Sequence, residues 1–157
     1  MATFYTAQAT TQDTGELRSR VDGNLASGDI RYAEFTYTFT GTEAASGDTI
    51  DIGDIPVGSV VIPELSKIAN EASMGGSALA ITKIGDASDD DRYSATSISI
   101  NSSTAGITNV TAAVGTSVIP RFVVTSATKR LVATFTRTNA ATAGKKISFI
   151  IAYRIGG

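Results

Sequence analysis

The chain has 157 residues, 42% hydrophobic and 18% charged, with a net charge of −2 and an isoelectric point near 5.0. That is room for one packed domain, and it offers no basic field to draw in a polyanion, so nucleic-acid binding is disfavoured. Histidine and cysteine are both absent. Their absence removes the side chain that titrates near neutrality, the thiolate nucleophile, the Ser-His-Asp arrangement and any disulfide.

Residues 1–15 (MATFYTAQATTQDTG) contain neither a cationic start nor an apolar run, and no stretch of about 18 apolar residues occurs anywhere. Synthesis in a cytoplasm and no membrane span are therefore expected. Residues 1–31 form a polar segment in which apolar positions are not periodic, ending in the turn-rich Asp22-Gly23-Asn24 and Ser27-Gly28-Asp29. This reads as an extended N-terminal arm, disordered or ordered on a partner, in front of a single domain at 32–157.

From Ala33 a period of two sets in. Ala33, Phe35, Tyr37 and Phe39 fall on one face, and Glu34, Thr36, Thr38 and Thr40 on the other. Turns then separate Ile50-Ile52-Ile55 from Val60-Val61-Ile62, which Pro63 closes. Between Glu64 and Ala72, the residues Leu65, Ile68, Ala69 and Ala72 are spaced for a short helix, the one helical candidate in the chain, although Pro63 could equally end a strand that Leu65 continues. A strand follows over Ala78–Ile84, then an exposed acidic loop comprising Asp86, Asp89, Asp90, Asp91, Arg92 and Tyr93, then a weaker strand at Ile98 and Ile100. Long alternating segments close the chain: Val118–Val124, Leu131–Phe135 and Ile147–Ile155. Lys145-Lys146 stands where charge would discourage edge pairing. Threonine and serine, 22 and 16 residues, suit the outward faces of such strands.

About eight strands with no strand–helix alternation predict an all-β antiparallel sandwich, best fitted by a jelly roll. An immunoglobulin-like sandwich would lack its usual Trp and paired Cys. The acidic loop is the one place for a hard cation, but its spacing is not that of an EF-hand, and a solvated turn is the simpler reading. No metal, cofactor or catalytic residue is assigned. Nothing in the sequence pairs Glu34 with Asp51 as two catalytic carboxylates, and no Gly-x-Ser-x-Gly or phosphate loop occurs. Two Asn-x-Ser/Thr sequences, at Asn101 and Asn109, are chance matches in a Ser/Thr-rich chain. Tyr5, Tyr32 and Tyr93 are the only aromatics placed to act as sugar platforms.

Several segments together resemble small structural proteins of tailed bacteriophages. They are Ala2-Thr3-Phe4-Tyr5, Gly15-Glu16-Leu17-Arg18-Ser19-Arg20, the Phe35–Phe39 strand, the Ile-Pro-x-Gly-x-Val-Val run at Ile55–Val61, and Lys83-Ile84-Gly85 followed by an acidic segment closing in Asp91-Arg92-Tyr93. The resemblance is to capsid decoration (cement) proteins or head fibres. It implies a jelly-roll domain, a homotrimer, seating on the major capsid protein at the capsid surface of the virion, and no enzymatic activity. Within that reading the arm, through Phe4, Tyr5, Leu17, Arg18, Arg20 and Arg31, lies across capsid subunits, its arginines meeting acidic patches. The alternative is a head-fibre or tail-associated carbohydrate-binding module.

Overall fold

The structure, a computed structural model, describes residues 3–5, 30–43, 47–75, 79–101, 104–112, 122–137 and 140–155, the first segment by its backbone only. The strands are β1 (Thr3–Tyr5), β2 (Ile30–Thr38), β3 (Thr49–Asp54), β4 (Ser59–Val61), β5 (Lys67–Asn70), β6 (Ala80–Asp86), β7 (Asp89–Ser94), β8 (Ile98–Ser99), β9 (Gly106–Asn109), β10 (Arg130–Thr136) and β11 (Lys146–Ile155). One 3-10 turn, Pro63–Leu65, is the only helical element among the described residues.

Two sheets face each other. The first runs β1-β3-β10-β6-β7, with β8 also on β6; the second runs β2-β11-β5-β9, with β4 also on β11. Four antiparallel pairs are nested in the sequence: β2 with β11, β3 with β10, β5 with β9, and β6 with β7. The first and last of these long strands pair, then the next ones in, alternately in one sheet and the other. A chain folded as one long hairpin and then rolled gives this order, which is the jelly roll that the strand count predicted. Added to the roll is β1, which extends the first sheet by a parallel pairing with β3 in the register Phe4↔Ile50.

The alternation works as read. Phe35, Tyr37 and Phe39 from β2 and its extension, Leu131, Ala133 and Phe135 from β10, and Ile147, Phe149 and Ile151 from β11 are all buried between the sheets. The Phe39 and Phe135 rings meet edge to face, centroids 6.4 Å apart, tying the end of β2 to β10 across the core. The last strand is apolar on its other side too, at Ile150 and Ala152, so it can sit in the middle of its sheet with neighbours on both edges.

Four expectations are corrected. Residues 64–72 are not a helix: Pro63 starts a single 3-10 turn, and Lys67–Asn70 then pairs with both β11 and β9, because Ile68 and Asn70 each find a strand to bury against. The acidic segment is not a loop but the hairpin β6–β7, with only Ala87-Ser88 between its strands. Lys146 does not guard an edge, since β11 is central. The strand expected over Val118–Val124 is represented among the described residues by one bridge, Val123 to Val60; Val118 and Pro120 lie outside them.

The connection leaving β2 is fixed by a buried acid. Glu43 is 0% exposed. One of its oxygens accepts from the Tyr37 hydroxyl at 2.7 Å, the Thr40 amide at 2.6 Å and the Thr40 hydroxyl at 2.9 Å, and the other from the Gly41 amide at 3.0 Å. Burial alone would push this carboxyl up, but the donors converging on it favour the anion more and hold it below the usual range. The same burial, together with the hydrogen bond and charge of Glu43, pushes the Tyr37 hydroxyl well above its ordinary value.

Two outcomes follow from this packing. Phe149→Ala empties a fully buried site and is expected to cost about 3–5 kcal/mol in denaturant unfolding, against under about 0.5 kcal/mol for Thr38→Ala on the exposed face. A carboxyl with a lowered folded pKa stabilises fully above its unfolded pKa of about 4.3, and that stability is lost as pH falls through the folded value. Glu43→Gln should therefore lower the melting temperature near neutrality, by about 1–3 kcal/mol in stability, and the difference from wild type should shrink as the melts are repeated in increasingly acidic buffer.

Candidate functional site

The residues singled out in the sequence as an acidic loop converge on the β6–β7 hairpin at one edge of the first sheet. Gly85 sits at an irregularity in this pairing, and a Cβ there would collide with the Asp89 carbonyl and the backbone of Asp90. The Lys83-Ile84-Gly85 segment thus ends on glycine because two backbones approach too closely for any other residue.

Asp86 and Tyr93 are not exposed, contrary to the sequence expectation: they keep 1% and 4% of their surface. Asp86 accepts from the Ser88 amide at 2.9 Å and the Ser88 hydroxyl at 2.7 Å, which shapes the two-residue turn. Its second oxygen takes Arg92 Nε at 2.5 Å. The Arg92 guanidinium reaches the Ser88 hydroxyl at 2.9 Å and lies over the Phe122 ring, 4.4 Å from the centroid. A buried anion is tolerable here because a planar, permanently charged donor is locked onto it. The Tyr93 ring points into the core beside Ile84 and Leu131, and burial, with the Asp86 charge, pushes its hydroxyl up to about 12. Of the three aromatics considered as sugar platforms, Tyr93 is therefore withdrawn, Tyr32 is exposed, and Tyr5 is described by its backbone alone.

Asp89, Asp90 and Asp91 bring one carboxylate oxygen each within 4.8 Å of one another. Lys83 Nζ is bound to both Asp90 oxygens, at 3.1 and 2.9 Å, and Arg92 is 3.9 Å from Asp89. A hydrogen bond with Asp89 holds the Asp91 carboxyl above its ordinary value. One lysine and one arginine from within the hairpin thus offset part of the charge of its four aspartates.

Elsewhere on the first sheet the charges are again matched. Arg130 reaches Asp51 at 3.3 Å and Asp54 at 3.2 Å, and Lys129 reaches Asp54 at 2.7 Å, linking β3 to β10. Asp51 belongs to this network, while Glu34 lies on the outside of the second sheet. The two carboxylates face opposite sides of the sandwich and flank no common cleft. Of the proposed arm residues, Arg31 lies in β2 opposite Tyr153, the backbone at Phe4 and Tyr5 is paired to β3, and Leu17, Arg18 and Arg20 lie outside the described residues.

No family model and no curated protein matches the sequence. Two solved structures match the fold. A chain of the capsid of Ralstonia phage GP4 is 19% identical, with a TM-score of 0.62 over 99% of both chains. A chain of the cyanophage Pam1 capsid asymmetric unit is also 19% identical, with a TM-score of 0.54 over 90% of this chain and 95% of that one. These likenesses establish that the whole described domain shares its fold with chains found in two phage capsids.

The hairpin is testable by stability. Arg92→Ala strands the Asp86 carboxylate in the core and is expected to cost about 3–5 kcal/mol in urea unfolding. Asp86→Asn together with Arg92→Ala should cost clearly less than the sum of the two single changes, since the double variant leaves no buried charge. Strict additivity would show that the pair does not hold the hairpin.

Proposed function

We propose that the chain is a non-enzymatic structural protein of a tailed-phage virion, which decorates and stabilises the capsid surface by binding the major capsid protein as a homotrimer. The observation that carries this reading is the end-to-end fold match to a chain of the GP4 capsid, 99% of each chain. It joins the sequence resemblance to decoration proteins. The chemistry agrees. A chain without His or Cys has no ordinary nucleophile–base pair, and the void that Tyr93 lines with Val61, Val110 and Ile151 is apolar and inside the sandwich.

A protein of this kind works by adding contacts and by resisting unfolding. Individual exposed ion pairs contribute about 0–1 kcal/mol, so attachment must come from many weak contacts repeated by an oligomer. In this proposal the arm supplies part of them. The pairing of Thr3–Tyr5 with β3 fixes its beginning on the first sheet, and Ile30 and Arg31 open the second. Arg18, Arg20 and Arg31 meet acidic patches of the lattice.

Co-sedimentation with phage heads assembled without this chain tests the proposal: the purified protein should pellet with the heads and raise their melting temperature. Arg18→Ala with Arg20→Ala should weaken binding by roughly fivefold per lost pair at most, and more at low salt than at high salt. Deletion of residues 2–20 should weaken it further, with folding checked by thermal melting because β1 is removed as well. A protein that ignores heads but binds on a glycan array would move the assignment to a carbohydrate-binding module, for which Tyr32 is the exposed platform.

A further inference from the structure

The two outer faces of the sandwich differ. On the first sheet, Asp51, Asp54, Lys83, Asp86, Asp90, Arg92, Lys129 and Arg130 all have partners of opposite charge within the chain, while Asp91 is hydrogen-bonded to Asp89. On the second sheet, Glu34, Lys67, Lys146 and Arg154 have no side-chain partner among the described residues. The exposed large apolar side chains follow the same division. Ile30, Tyr32 and Ile107 lie on strands of the second sheet, Val123 is bridged to β4, and Val57 and Leu65 lie in the connections flanking β4. Tyr32 and Ile107 keep 58% and 67% of their surface.

Strand register places these groups in rows, because directly paired residues point to the same side of a sheet. One row runs Ile30, Arg154, Val60, Val123; the next holds Tyr32 and Ala152; the third runs Glu34, Ile150, Lys67. A cation amid apolar side chains therefore lies on one side of the Tyr32 row and an anion on the other. Successive rows are about 6.7 Å apart, so Arg154 and Glu34 of one chain do not meet.

We propose that this face packs against the same face of a second copy of the chain, about a two-fold axis lying in the interface along the Tyr32–Ala152 row. Such an axis exchanges the first and third rows. It sets Tyr32 against its counterpart, with Ala152 already buried within the chain beneath that row, and brings Arg154 of each copy over Ile150 of the other. There it is one strand spacing, about 4.8 Å, from Glu34 on one side and Lys67 on the other. Opposite charge draws it to Glu34, and the crossing of about 30° usual for stacked sheets accommodates the offset. Four strands at that spacing and the length of β11 give a face on the order of 600 Å², close to the roughly 800 Å² per partner of a standard interface. The contact is isologous, with each ion pair made twice. It stands apart from the virion reading and from the three-fold grouping that the resemblance implies.

Sedimentation velocity on the full chain over a range of concentrations tests it. Glu34→Arg and Arg154→Glu should each weaken self-association at least tenfold, and the double variant, with the charges exchanged, should restore it. Both positions are exposed, so melting temperatures should stay at the wild-type value, which separates lost pairing from lost folding. A wild type that remains monomeric, single variants that associate as well as wild type, or a double variant no better than the singles would overturn the contact. Head binding reports separately: a monomer that binds heads overturns this contact and the trimer and leaves capsid attachment in place, whereas a paired protein that ignores heads overturns the decoration reading alone.

Discussion

The structure depends on one strand that is apolar on both sides. β11 carries Ile147, Phe149 and Ile151 into the core, with Ile150 and Ala152 opposite, and it pairs with β2 along one edge and with β5 and β4 along the other. Remove it and the second sheet loses its centre and the outermost of the nested pairs. Because β2 and β11 come from opposite ends of the domain, their pairing carries a large loop-closure cost. Burial of the longest apolar strand offsets that cost, and β10 repeats the arrangement one layer in, between β3 and β6.

That constraint also explains what could be read without coordinates. β2, β10 and β11 are long enough for a period of two to show in their apolar residues, and the jelly roll follows once such strands are counted. β5 was hidden because Leu65, Ile68, Ala69 and Ala72 have helical spacing, and in only four residues local preference is weak. What decides it is long-range pairing of Ile68 with Phe149, which no local pattern records. β9 has a single large apolar residue, Ile107, and that one points outward. β7 was hidden for the opposite reason: Asp89-Asp90-Asp91-Arg92 resembles a solvated turn until Lys83 and Asp86 are brought alongside to match its charges.

The acidic hairpin shows how a charged motif becomes structural. The Gly85 site lets two backbones close up, Asp86 turns the chain through Ser88, and Arg92 neutralises Asp86 while covering Phe122. Asp86 thus spends its charge inside the fold, while Asp90 meets Lys83 at the surface. On this account the arginine and tyrosine of the Asp-Arg-Tyr sequence are fixed by an ion pair and by the core, with Asp91 and Arg92 both partly exposed.

Matched charge on one face and unmatched charge on the other are different physical states. An ion pair completed within the chain has little left to offer a partner, since a competing contact must first break it and desolvate both groups again. Arg154, with no side-chain partner among the described residues and next to a tyrosine and aliphatic side chains, has no such ion pair to break, and these residue types dominate the energetic centres of protein interfaces. In the proposed pairing, a sandwich that matches most charges of its first sheet within the chain turns toward a partner the sheet on which Glu34, Lys67 and Arg154 have no side-chain partner among the described residues. It closes ion pairs through β3, β6, β7 and β10, and it exposes Tyr32, Glu34, Lys67, Ile107 and Arg154 through β2, β5, β9 and β11.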